Sequence, residues 1–153
     1  SANSDNLGAL TTGSVSVSPS PRTATVNTNA KNGWYVWAKD TNTGLNSASA
    51  AATIASTTPG TNSTLSAGTE GYNTGVTSSH GGGSGTISVA TPFVGGATGK
   101  GGGLDTTLRT LASSNGTAQN DVLTLTNNAA ISSTTAAASD YTDTITVVGA
   151  GLF

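Results

Sequence analysis

Cysteine and methionine are both absent from this 153-residue chain. No disulfide can tie it together, and it holds no easily oxidised sulfur. Stability must therefore come from sheet packing or from assembly. Charge is nearly as scarce: Asp, Glu, Lys and Arg make up 8% of the residues, against about a quarter in an ordinary soluble domain. The five basic residues are scattered and form no patch, which argues against nucleic acid as a partner. No apolar run approaches the roughly 18 residues of a membrane-spanning helix, so no membrane span is expected. There is one histidine, His80, and one glutamate, Glu70. Metal and cofactor sites draw on converging His, Cys, Asp and Glu, and this chain is poor in them; no cofactor is expected.

Thr, Ser, Asn, Gly and Ala fill the space that charge leaves. Such a surface is hydrated but uncharged and offers trypsin-like proteases few cleavage points. The chain opens at Ser1 without a methionine, as a mature secreted protein does once its signal peptide is removed. Together these features point to an extracellular, cell-surface location. Leu, Ile, Val and Phe amount to under a fifth of the residues. With a formal net charge of only −2, this reads as a folded domain with a thin core rather than as disorder.

Alternation of period two dominates the pattern. It marks strands over Gly13–Ser18, Arg22–Asn29, Gly33–Asp40, Thr86–Ala90, Asp121–Asn127 and Tyr141–Val148. In Gly33–Asp40, Trp34, Val36 and Ala38 share one face, and Tyr35, Trp37 and Lys39 the other. Thr recurs on the outward positions, where its branched Cβ favours extended backbone while its hydroxyl stays wet. Pro19–Pro21, Asn32-Gly33, Pro59-Gly60, Gly81–Gly83 and Gly101–Gly103 read as turns or loops. Leu104, Leu108 and Leu111 recur at helical spacing behind Asp105, so residues 104–114 read either as a short helix or as an edge strand. The expected fold is all-β: a single antiparallel β-sandwich, jelly-roll or immunoglobulin-like. It is either complete in itself or completed by a strand from a neighbouring subunit. Residues 1–18 form an N-terminal extension and 19–153 the sandwich.

Each candidate chemical motif has a plain structural reading beside it. His80, in Ser78–Gly85, lacks a motif that would supply a nucleophile or further ligands, and reads as an exposed loop residue. Gly95–Gly103 (GGATGKGGG) lacks the spacing of a phosphate-binding loop and reads as a surface loop. Asp40-Thr41-Asn42-Thr43-Gly44 resembles a fragment of a calcium loop, but no bidentate acid closes it, so a turn is expected. Lys31, Lys39 and Lys100 have no motif pairing them for an isopeptide bond. Asn62 and Asn115 head N-glycosylation sequons, so glycans are candidate modifications. Tyr35 and Trp37 could stack on sugar rings, or be covered by a loop or a second subunit. No catalytic residue, and hence no enzyme, is expected.

Asn32–Leu45 (NGWYVWAKDTNTGL) resembles a segment of secreted bacterial β-sandwich surface proteins. Tyr141–Val148 (YTDTITVV) resembles the closing strand of secreted fibre and fimbrial modules. The two cover about a seventh of the chain. The whole composition is similar to that of donor-strand, pilin-like filament subunits, among them camelysin-type biofilm fibre proteins and archaeal bundling pili. The resemblance implies a structural subunit of an extracellular filament, a pilus or a biofilm-matrix fibre, with identical subunits as partners. The N-terminal segment of one subunit would fill a groove in the next, anchored by Leu7, Leu10, Val15 and Val17. That segment would then make no contacts with its own domain, and Pro19-Ser20-Pro21 would be a stiff hinge. The alternatives are a carbohydrate-binding or cell-adhesion module, and a viral capsid or decoration protein.

Overall fold

A computed structural model of the chain describes residues 4–153; residues 1–3 of the expected N-terminal extension lie outside it. Twelve strands follow in order: β1 (Ser16–Val17), β2 (Arg22–Thr28), β3 (Trp34–Lys39), β4 (Gly44–Ser47), β5 (Ala52–Ala55), β6 (Asn62–Thr64), β7 (Gly71–Ser79), β8 (Ile87–Val89), β9 (Lys100–Gly102), β10 (Arg109–Ser114), β11 (Ala118–Ala130) and β12 (Thr146–Gly151). The larger sheet runs β11-β7-β9-β6, with β1 and β2 both on the free side of β11. The smaller runs β12-β3-β10-β8, and β4–β5 form a separate hairpin. All these strand pairings are antiparallel, and the all-β sandwich is as expected. No helix among the described residues is long and apolar enough to cross a membrane.

The inward residues of both sheets meet in the main core. Trp34, Val36 and Ala38 of β3 and Leu111 and Ala112 of β10 pack with Val76 of β7 and Leu123 and Leu125 of β11, and Phe93 and Leu104 belong to the same buried cluster. This is the β3 face that alternation assigned inward. A second, smaller cluster lies under the β4–β5 hairpin: Leu45, Ile54, Tyr72 and Ala129, with Leu7, Leu10, Ile131 and Tyr141 packed against it.

Three local expectations change. Residues 104–114 form no helix and no edge. Arg109–Ser114 is β10, an inner strand between β3 and β8. A register shift between Thr110 and Ala112 turns Leu111 and Ala112 both inward, while Leu108 is left exposed. Asp105 caps a turn instead, accepting the Thr107 N–H at 3.0 Å and the Arg109 guanidinium. The glycine-rich stretch is no surface loop at its end, because Lys100–Gly102 is β9, inside the larger sheet. A Cβ on Gly101 would lie 2.5 Å from the backbone of Thr74, and one on Gly75 2.4 Å from the Lys100 carbonyl oxygen. Glycine is what lets these strands approach. The closing strand starts at Thr146, not Tyr141. Tyr141 is folded back into the second cluster, its hydroxyl donating to the Ala136 carbonyl at 2.9 Å.

Candidate functional site

β11 spans 13 residues, but β2 covers its free edge only as far as Leu125. The residues beyond would leave backbone groups unpaired. Ser16 and Val17 fill the gap, opposite Ala129 and Asn128, and the Ser18 N–H donates to the Asn127 carbonyl at 2.8 Å. Pro19 and Pro21, which lack N–H donors, stand where this edge strand is interrupted before β2 begins.

The chain upstream of β1 is held by a polar clasp. The Asp5 carboxylate accepts the Ser18 hydroxyl at 2.6 Å and the Asn127 amide at 2.9 Å. The other end of the Asn127 amide accepts the Thr74 hydroxyl at 2.9 Å. An Arg22 N–H donates to the Ser4 carbonyl. Leu7 and Leu10, half-buried, rest on the second cluster. The expectation that this segment makes no contact with its own domain is thus corrected. Of the four proposed anchors, Leu7 and Leu10 reach the cluster, Val17 pairs with β11, and Val15 is half-buried. The reason is the overhang of β11, which no pattern in the N-terminal segment announces.

Sequence reading missed a buried constellation at the other end of β11. Asp121 is fully buried. One oxygen lies 2.7 Å from His80 Nδ1 and also accepts the Gly81 N–H at 3.3 Å; the other accepts the Trp34 indole N–H at 3.3 Å. His80 is therefore more than a loose loop residue: its ring caps a core carboxyl while remaining 42% exposed. Asp121 is in phase with Leu123 and Leu125, so its inward direction was readable; its partners, at positions 34 and 80, were not. A histidine whose Nδ1–H is held by a carboxyl has the orientation of a general base. Among the described hydrogen bonds none joins a hydroxyl to its ring.

The remaining acids sit in turns and at the surface. Asp40, buried after β3, accepts the Thr43 N–H at 3.0 Å and the Ser56 hydroxyl at 3.3 Å. Burial pushes its carboxyl up, as it does that of Asp143, which Asp40 raises further. The Thr41 N–H donates to Asp143 at 3.4 Å and the Thr41 hydroxyl to the Thr144 carbonyl at 3.0 Å, tying this turn to the approach of β12. With Thr43 at φ 58° the segment is a tight turn, and no group of three or more metal-binding side chains forms among the described residues. Asp140 borders a shallow depression of about 540 Å³ beside the β4–β5 hairpin. Bonds from the Ser47 hydroxyl, the Ser49 hydroxyl and the Ser49 N–H hold it well below the usual carboxylate range. Glu70 accepts the Thr135 hydroxyl at 2.5 Å at the surface.

The aromatic pair is offset-stacked. The Tyr35 and Trp37 rings lie 5.5 Å apart at 14°, closer than two rings can lie side by side in one plane. Each covers part of the other, and Tyr35 is the more exposed. The two sequons differ. The Asn62 amide nitrogen donates to the carbonyls of Pro92 and Val94, at 3.0 and 2.9 Å. A glycan replaces one of that nitrogen's two hydrogens, so at least one of the two bonds would be lost. Asn115 is exposed in the β10–β11 turn, where its oxygen accepts the Thr86 N–H at 2.8 Å.

The geometry defines an antiparallel β-sandwich with an N-terminal arm clasped along one strand edge. No protein-family model matches the chain, and no curated protein and no solved structure matches it either.

Proposed function

We propose that this is a structural subunit of an extracellular filament, joined to its neighbours by exchange of the N-terminal arm. The observation that carries the reading is the arm itself. It occupies the overhang of β11 and the second cluster through contacts separate from the sandwich core, behind a proline-flanked break. The same cradle accepts the same arm from another copy with the same bonds, because arm and cradle are identical in every chain. Head-to-tail exchange through a rotation that does not close into a dimer or ring adds subunits indefinitely, and a filament is the form proposed here. A surface rich in Thr, Ser and Asn and a chain free of sulfur suit an exposed fibre.

The missing cysteines make the test simple. Ser16 and Ala129 are register partners. Chains carrying Ser16→Cys are refolded together with chains carrying Ala129→Cys, oxidised, and inspected by electron microscopy. Arm exchange predicts a disulfide joining the two kinds of chain, together with filaments. Monomers alone, with a bond formed only when both cysteines lie in one chain, would sink the reading.

A further inference from the structure

The sheet edges of this sandwich are not alike. β6 and β8 have three residues each, and β8 leads into Pro92. β2 begins at Arg22 behind two prolines. Shortness, charge and proline each deter another strand from adding to an edge. β12 has none of the three. It is six residues long, uncharged, free of proline, and exposed at every position.

Its side chains are unprotected as well. Val147 stands opposite Ala38 of β3, on the face that points into the core. Ala38 is wholly buried, yet Val147 is 40% exposed, so the larger sheet stops short of covering β12. On the outer face Val148, 41% exposed, stands opposite Trp37, and Ala150 opposite Tyr35. Seven large apolar side chains are exposed among the described residues, and five of them belong to this strip: Tyr35, Val147, Val148, Leu152 and Phe153. Concentration of that kind marks an interaction surface.

We infer that β12 is a self-pairing edge, occupied by β12 of a second copy of this chain running antiparallel across a two-fold axis. A row of unpaired backbone donors and acceptors is matched by an extended strand. A two-fold axis sets each residue beside its own sequence, so any charge on the strand would meet its own sign. Thr144–Phe153 carries no charged side chain, so self-pairing meets no repulsion. A charged strand from elsewhere would find no counter-charge on β12. The pairing joins two four-stranded sheets into one continuous sheet and covers Val147 and Val148 on opposite faces. It uses the smaller sheet, whereas the arm lies on the larger, and it does not depend on arm exchange.

The test uses the full chain and the full-length variants Val148→Lys and Val148→Glu, in sedimentation equilibrium over a concentration series. Wild-type chains whose arm is closed on their own body should dimerise reversibly, and the Thr146–Gly151 amides should gain hydrogen-exchange protection as concentration rises. Val148→Lys should weaken the dimer at least tenfold with an unchanged unfolding midpoint, since the residue is already exposed. Mixing the Lys and Glu variants should restore association, because opposite charges then meet across the axis. A wild type that stays monomeric at every concentration, or a Lys variant that associates as the wild type does, overturns the inference. Association that survives in the Lys variant alongside the cysteine cross-link would assign self-assembly to the arm alone.

Discussion

The two ends of this chain are opposites in chemistry and in setting. The N-terminal arm is polar and sparsely apolar, yet it is fastened through Asp5, Ser18 and Asn127. The C-terminal strand is apolar and uncharged, yet only one of its edges is paired. The contrast teaches that what covers a segment here is the strand edge available to it, not its hydropathy. β11 overhangs β2 and captures the arm, while the larger sheet ends before it can shelter β12.

Experiments that loosen the arm's seat should have the largest effects. Ile54, fully buried, is part of the cluster under Leu7 and Leu10. Ile54→Ala should cost about 2–5 kcal/mol in urea unfolding, the usual range for a buried aliphatic truncation. Asp5→Ala removes a carboxylate that accepts two hydrogen bonds. It should cost about 1–2 kcal/mol and speed amide exchange at Val17 and Ser18 ahead of the sandwich.

The approach to the other end is tested by pH. The carboxyl of Asp40 is raised by burial, so the folded chain holds that proton more tightly than the unfolded one. Its contribution to stability is complete below the unfolded value and is lost as pH rises through the folded one. Asp40→Asn keeps an acceptor for Thr43 and removes the titration. Unfolding free energies measured from neutral to acid pH should show the wild type gaining on the variant as pH falls. Smallest in stability is Val148→Lys, expected within about 0.5 kcal/mol as an exposed substitution in the same unfolding assay. Its effect should appear in association instead, and that separation is what distinguishes the two ends.

Much of the sandwich was legible where one face is wet. Arg22–Asn29 and Gly33–Asp40 were placed within a residue or so of β2 and β3, because Thr or Lys alternates there with apolar side chains. β7 was illegible for the opposite reason. Its first six residues, Gly71–Val76, are all buried, so nothing alternates, and Asn73 and Thr74 look like loop residues. What makes them core residues lies far along the chain. The Asn128 amide donates to Asn73 at 2.9 Å, and Asn73 donates to the Gly99 carbonyl at 2.9 Å. The Gly99 N–H returns to Asn128 at 3.3 Å, closing the ring. Polar groups so matched can occupy a core. The candidate sites divide in the same way. Leu7 and Leu10 were visible as the arm's apolar anchors, but the cradle beneath them, like the partners of Asp121, exists only once distant strands meet.

The overhang of β11 also orders events in time. Ser16 pairs with Ala129, more than a hundred residues later in the chain. During synthesis the arm emerges before β11, so the edge it pairs with is made after it. Contacts so distant in sequence form late and slowly. Until then the arm is a free strand in search of an edge, and any completed neighbour whose cradle stands open presents one. Under the proposed arm exchange, whether it closes on its own body or on another copy is a race between chain completion and encounter, governed by local concentration, before it is a matter of relative stability.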